Sequence, residues 1–135
     1  MRAGLTPAST ARVDAVVTED MVATLGGRPV HPVLATARMI EWMEWAGRRL
    51  ILPYLEPDED AVGYAVNVVH LRPTPVGMPF WAIARYLRTE GRRVVAAVEA
   101  YNPEGLIGRG EFTQVLVARS DLEARFYRGG SEPAD

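Results

Sequence analysis

Few side chains in this sequence can do chemistry, and their types narrow what that chemistry is. Cysteine is absent, which rules out a thiolate nucleophile, a disulfide and any Cys-ligated metal. The serines, Ser9, Ser120 and Ser131, lie near the ends, and no Gly-x-Ser-x-Gly elbow occurs. His31 and His70 have no paired-ligand spacing, so no metal is expected. Glycine-rich phosphate loops of either common kind are missing. What is left is carboxylates, two imidazoles and hydroxyls, the equipment of general acid–base catalysis.

His70 ends an alternating run in which Tyr64, Val66, Val68 and His70 fall on one face and Gly63, Ala65, Asn67 and Val69 on the other. An imidazole there is either a core group satisfied by one hydrogen bond or a general acid–base with an ordinary pKa of about 6.5. His31, held extended by Pro32, reads as a loop histidine. Glu44 lies in a helical run about 40° round from Ile40, at the margin of the apolar stripe. It is either the i,i+4 partner of Arg48, worth about 0.3–0.5 kcal/mol, or a carboxylate turned towards a histidine on a facing sheet. Glu41, further towards the polar side, can serve the arginines in its place. Thr36 falls near the middle of the stripe, as a filler, a cap or a site hydroxyl. In one straight helix Thr36 and Glu44 stand about 12 Å apart along the axis, so a direct bond needs a bent or non-helical start.

The element that carries two of these residues is the run from Leu34 to Leu52. Ile40, Met43, Gly47, Leu50 and Ile51 recur with helical period, Met39 and Ala46 widen the face, and Pro53 stops it. By the same wheel Trp42 and Trp45 lie outside, either as a partner surface or tucked under a neighbouring loop. Before the helix, residues 11–18 alternate as a strand, and residues 19–22 start a short helical turn that ends at Gly26-Gly27. Val30-His31-Pro32-Val33 then leads into the helix. After it, a polar, proline-punctuated loop precedes a strand over 61–71 that is apolar on both faces and therefore expected to be covered on both. Strands over 78–88 and 93–101 flank the turn Thr89-Glu90-Gly91-Arg92. A last strand runs over 106–118, where Gly108 and Gly110 let the sheet bend around the helix. A short helix over 120–127, with Ser120 as candidate cap, and a tail complete the chain. The domain is thus a central helix wrapped by antiparallel sheet over residues 11–118, between a loose terminus at 1–10 and a C-terminal helix and tail at 119–135.

At 135 residues the chain is one domain, and 48% hydrophobic with 24% charged residues is ordinary for a globular protein. Net charge is −2 and the basic residues are scattered arginines, so no nucleic-acid footprint is present. No signal-peptide h-region and no run of membrane-spanning length appears, so a cytoplasmic protein without a membrane partner is expected.

The residues singled out belong to a wider pattern. Ala35-Thr36, Met43-Glu44-Trp45-Ala46, Pro53-Tyr54-Leu55-Glu56-Pro57, Gly63, Val69-His70, Thr74-Pro75-x-Gly77, Glu90-Gly91-Arg92-Arg93 and Ile107-Gly108-x-Gly110 extend over about residues 30–118. In them the chain resembles the hotdog-fold thioesterases of the fluoroacetyl-CoA thioesterase type, and the 8- and 26-residue spacings between Thr36, Glu44 and His70 are the specific part. The resemblance implies an α+β hotdog fold and a homodimer with continuous sheets, a tetramer being left open. It implies an active site at the subunit interface, an acyl-CoA substrate, and no cofactor beyond the CoA of that substrate. It makes Thr36, Glu44 and His70 the catalytic trio and places Val30, Gly63 and Gln114 on the substrate side. Val30 stands where the family has an aromatic gate and Gln114 where it has an arginine, so an ordinary acyl-CoA is expected rather than fluoroacetyl-CoA. An acyl-CoA hydratase or dehydratase, and a non-catalytic acyl-CoA-binding dimer, are the alternatives.

Overall fold

The computed structural model describes residues 1–126. Strands β1 (Thr10–Val16), β4 (Glu59–His70), β5 (Pro79–Glu90), β6 (Arg93–Asn102) and β7 (Gly105–Ala118) form one antiparallel sheet in the order β1-β5-β6-β7-β4. Helix α1 (Thr36–Ile51) lies across one face of it. Its buried side, Met39, Met43, Ala46, Gly47, Leu50 and Ile51, is the predicted stripe shifted slightly, with Ile40 only half-buried. Opposite it, Ala82, Ala84, Ala96 and Ala100 are all buried, and these small residues bring the helix close to the central strands. Phe80 and Ile107 fill the space the alanines leave.

Helix α1 starts two residues later than its periodicity suggests. Ala35 is extended (φ −67°, ψ 144°), its N–H bonds to the Met21 carbonyl, and the Leu34 N–H bonds to the Thr74 carbonyl. A single 3-10 turn over Leu52–Tyr54 ends it at Pro53. Trp42 is not on the outside: it is half-buried against Phe80, with ring centroids 6.1 Å apart, whereas Trp45 is exposed.

Three expectations are corrected. The segment before the helix is a hairpin, β2 (Val22–Leu25) and β3 (Arg28–Leu34), after a 3-10 turn at Glu19–Met21. Gly26 and Gly27 (φ 59° and 78°) supply the two positive-φ positions of a tight hairpin turn. Pro29 and Pro32 disguised β3, and they are tolerated because this two-stranded ribbon pairs on one side only. Strand β4 is not covered on both faces: it is a sheet edge, with Val62, Tyr64, Val66 and Val69 exposed. Helix α2 (Arg119–Phe126) starts before Ser120, and the residue that holds its first turn is Asp58, whose carbonyl and carboxylate accept from the Arg119 and Ser120 amides and the Ser120 hydroxyl.

The glycines of β7 are needed for different neighbours. A Cβ at Gly108 would sit 2.5 Å from the sulfur of Met39 on the helix, whereas one at Gly110 would run into the β4 backbone at Asn67 and Val68. Only the first makes room for the helix. The N-terminal residues, expected to be loose, run along the 52–59 connection, where the Met1 ammonium meets Glu59 at 2.8 Å and the Arg2 N–H reaches the Tyr54 carbonyl. No helix among the described residues is long and apolar enough to cross a membrane. Tyr127, Ser131 and the expected tail lie outside the described residues.

Candidate active site

His70 closes β4 opposite Gly108 of β7. Its Nδ1 shares a 2.8 Å hydrogen bond with Oγ1 of Thr36, the first residue of α1. Its Nε2 is buried and has no hydrogen-bond partner among the described residues. A buried polar atom without a partner is costly, and a catalytic role is one of the reasons a protein keeps one. Burial holds the imidazole pKa below its ordinary value, a backbone interaction with Arg72 offsetting part of the effect.

Thr36 and His70 are brought together by a buried polar brace. Asn102 donates from Nδ2 to Thr74 Oγ1 at 3.0 Å, accepts the Glu104 N–H at 2.8 Å, and both side chains are buried. The Thr74 carbonyl takes the Leu34 N–H, two residues before Thr36, and the Leu71 and Arg72 amides bond to Ile107 just after His70. The segment before Thr36 is therefore tied to Thr74, and the segment after His70 to β7. The sequence flags neither residue of the brace as buried, because Thr and Asn are mostly surface residues.

Glu44 lies elsewhere along the same helix. It lines a cleft of about 470 Å³ with Trp45, Gly63, Phe112 and Gln114. It is not the partner of Arg48, whose guanidinium bonds to Asp60 Oδ1 at 3.0 Å and the Ala61 carbonyl at 3.1 Å, while Arg38 takes Glu41. The i,i+4 explanation for Glu44 is thereby removed, and its carboxylate faces the cleft. Gln114 has a structural tie as well as a place in the wall, since its Nε2 donates to the Gly47 carbonyl at 3.0 Å. Gly47 makes room for the neighbouring Phe112 ring, with which a Cβ there would collide.

Within one chain these are two clusters. The helix is continuous from Thr36 to Ile51, so Thr36 and Glu44 are about 12 Å apart along it. Thr36 holds His70 and does not hold Glu44, and no hydrogen bond joins Glu44 to His70. Val30 lies in neither cluster: it is on β3, in a separate groove of about 390 Å³ with Val22, His31 and Val76. His31 is therefore a strand residue, paired with Ala23, and exposed. The feature that periodicity missed is a β-bulge between Gly63 and Ala65, which puts Gly63, not Tyr64, on the helix side of β4 with His70.

Known proteins share both sequence and architecture with this chain. The family described as fluoroacetyl-CoA-specific thioesterase matches residues 17–120. The fluoroacetyl-CoA thioesterase of Streptantibioticus cattleyicolor is 36% identical over 93 residues, covering 69% of this chain and 67% of that protein. Among solved structures, a thioesterase-superfamily member from Thermus thermophilus is 42% identical over 94% of both chains, with a TM-score of 0.87. A fluoroacetyl-CoA thioesterase structure is 28% identical, with a TM-score of 0.84 over 97% of this chain and all of that one. The hotdog architecture is thus shown, and the chain belongs to the fluoroacetyl-CoA-specific thioesterase family of thioester hydrolases.

Proposed function

We infer that the protein hydrolyses an acyl-CoA to a carboxylic acid and free CoA, at a site shared between two copies of the chain. The observation that carries this reading is the Thr36–His70 pair with its buried, unpartnered Nε2, set beside a second cluster of Glu44 and Gly63 that lacks an imidazole. Each cluster holds what the other needs. Glu44 activates water, or attacks the thioester carbon itself to give an anhydride that water opens. The developing oxyanion is met by the Gly63 amide, and the C–S bond breaks as the carbonyl re-forms. When the Thr36 hydroxyl donates to Nδ1, the neutral imidazole keeps its proton on Nε2, the atom that gives it to the departing sulfur. A thiol of pKa about 8.5 is a good leaving group, so a modest acid suffices.

The exposed apolar edge at β4 supports the two-copy site. A two-fold axis beside Val66 and Asn67 would pair β4 with its own copy and set Gly63 of one chain against the partner's His70. Neutral Gln114, tied to Gly47 in the wall of the Glu44 cleft, provides no cationic recognition there, which favours an ordinary acyl group over fluoroacetyl.

Release of thiol from a panel of acyl-CoAs tests the activity, and Glu44→Gln and His70→Ala are each expected to lower kcat at least about tenfold. Mixing the two variants tests the sharing. If Glu44 and His70 act across the interface, random re-pairing returns about a quarter of wild-type activity, because one site of each mixed dimer is intact. No recovery on mixing would mean that each chain supplies both groups.

A further inference from the structure

Gly63 and His70 are seven residues apart, an odd separation that sends side chains to opposite faces of an uninterrupted strand. In this structure they share the helix-facing side. Gly63 pairs with Gln114, whose amide bonds to the helix, and His70 pairs with Gly108, which abuts Met39 of the helix. The extra residue is Tyr64, skipped as the ladder passes from Gly63↔Gln114 to Ala65↔Thr113. The Tyr64 ring lies on the opposite, outer face, and Arg93 of β6 holds it there. The Arg93 guanidinium sits 4.5 Å from the ring centroid and donates to the Tyr64 hydroxyl at 3.0 Å. Arg93 pairs with Val115, so its side chain reaches over β7 to β4 and joins three strands across the outer face.

We propose that Tyr64 and Arg93 are positioning residues for the reaction: together they pin the bulge that turns Gly63 and His70 to the same, helix-facing side of β4, each towards its own half of the proposed shared site. A flat surface pair with no strand irregularity beneath it would be worth little. Here the alternative to the pinned bulge is a β4 whose first half faces the wrong way, so the pair acts through backbone geometry. The catalytic consequence rests on the thioester-hydrolysis reading above, whereas the pin itself does not.

Two measurements keep these apart. Amide hydrogen exchange and chemical shifts over residues 61–66 report the pin in any folded sample. Arg93→Ala and Tyr64→Ala are expected to raise exchange there at least about tenfold while residues of β5 and β6 are unchanged. Arg93→Lys, which keeps a cation over the ring, is expected to restore most of the protection. In thiol release, Arg93→Ala is expected to lower kcat on the order of tenfold with KM within about twofold, the signature of a displaced transition-state contact. The double variant is expected to be no worse than Arg93→Ala alone, since the pair acts as a unit. Wild-type exchange over 61–66 in both alanine variants would overturn the pin. Altered exchange with undiminished kcat would overturn its role in the reaction. A wild-type protein that releases no thiol from any acyl-CoA would instead sink the functional reading, and the exchange data would still decide the pin.

Discussion

The imidazole of His70 makes the sharpest residue-scale prediction, because its environment fixes the direction of its pKa. Burial lowers it from the ordinary value of about 6.5, so at neutral pH the group is neutral, the form from which the proposed reaction takes the Nε2 proton. If His70 is the proposed acid, protonation below that value removes the active form, and kcat/KM is expected to fall on an acid limb whose midpoint lies under about 6.5. Stability should follow with the same sign. Between the lowered native pKa and about 6.5 the unfolded chain binds more protons, so stability rises with pH across that window. His70's contribution is whole above it and is lost as pH falls through the native value; denaturant midpoints at several pH values check this, with His70→Asn flattening the window. Thr36 is expected to matter through its hydroxyl alone: Thr36→Val lowers kcat on the order of tenfold and Thr36→Ser retains most of it. These residue types were legible in the chain because so few others could do chemistry. What each holds was not: Thr36 turned out to serve His70 and not Glu44, a contact between residues 34 apart that no local period encodes.

At the scale of elements, periodicity found what repeats and missed what interrupts. The helix and the long strands were readable because burial on one face imposes a regular spacing. The β2–β3 hairpin was hidden by two prolines, although Gly26-Gly27 carried the turn signal that marks it. The bulge at Tyr64 was invisible, because one inserted residue changes the parity of a strand without changing its composition. The glycines of β7 allow a quantitative test of which neighbour each accommodates. Gly108→Ala meets the flexible thioether of Met39, and an overpacking cost of about 1 kcal/mol is expected. Gly110→Ala meets backbone that cannot step aside, and about 3 kcal/mol or more is expected, with β4 displaced from β7. Chemical denaturation of the two variants checks the order; equal costs would show that β4 is free to move. The brace predicts a third effect. Thr74→Val leaves the buried Asn102 amide without its acceptor, about 1–3 kcal/mol, and Thr74→Ser restores it.

For the whole molecule, the described chain is a folded domain with one protected and one unprotected sheet edge. The β1 edge carries Arg12 and Asp14, paired with each other, as edges that must stay single often do. The β4 edge instead presents Val62, Val66 and Val69 and has no charged residue from Ala61 to Val69 to discourage pairing. Aggregation along that edge is avoided if a second copy covers it, and the same pairing would unite the two half-sites. A charge placed beside the proposed axis separates these roles from ordinary stability. Val66→Lys would set two ammonium groups against each other across the two-fold, and Val66→Glu two carboxylates, while a protomer alone tolerates either at this half-exposed position. Each variant is expected to sediment as a monomer, keep its far-ultraviolet circular dichroism and lose thiol-releasing activity. Mixed one to one, the two variants put opposite charges together, so dimers and activity should return in parallel. A Lys variant that stays dimeric and active would place the interface elsewhere, and monomeric variants that keep their activity would leave Glu44 and His70 to act within one chain.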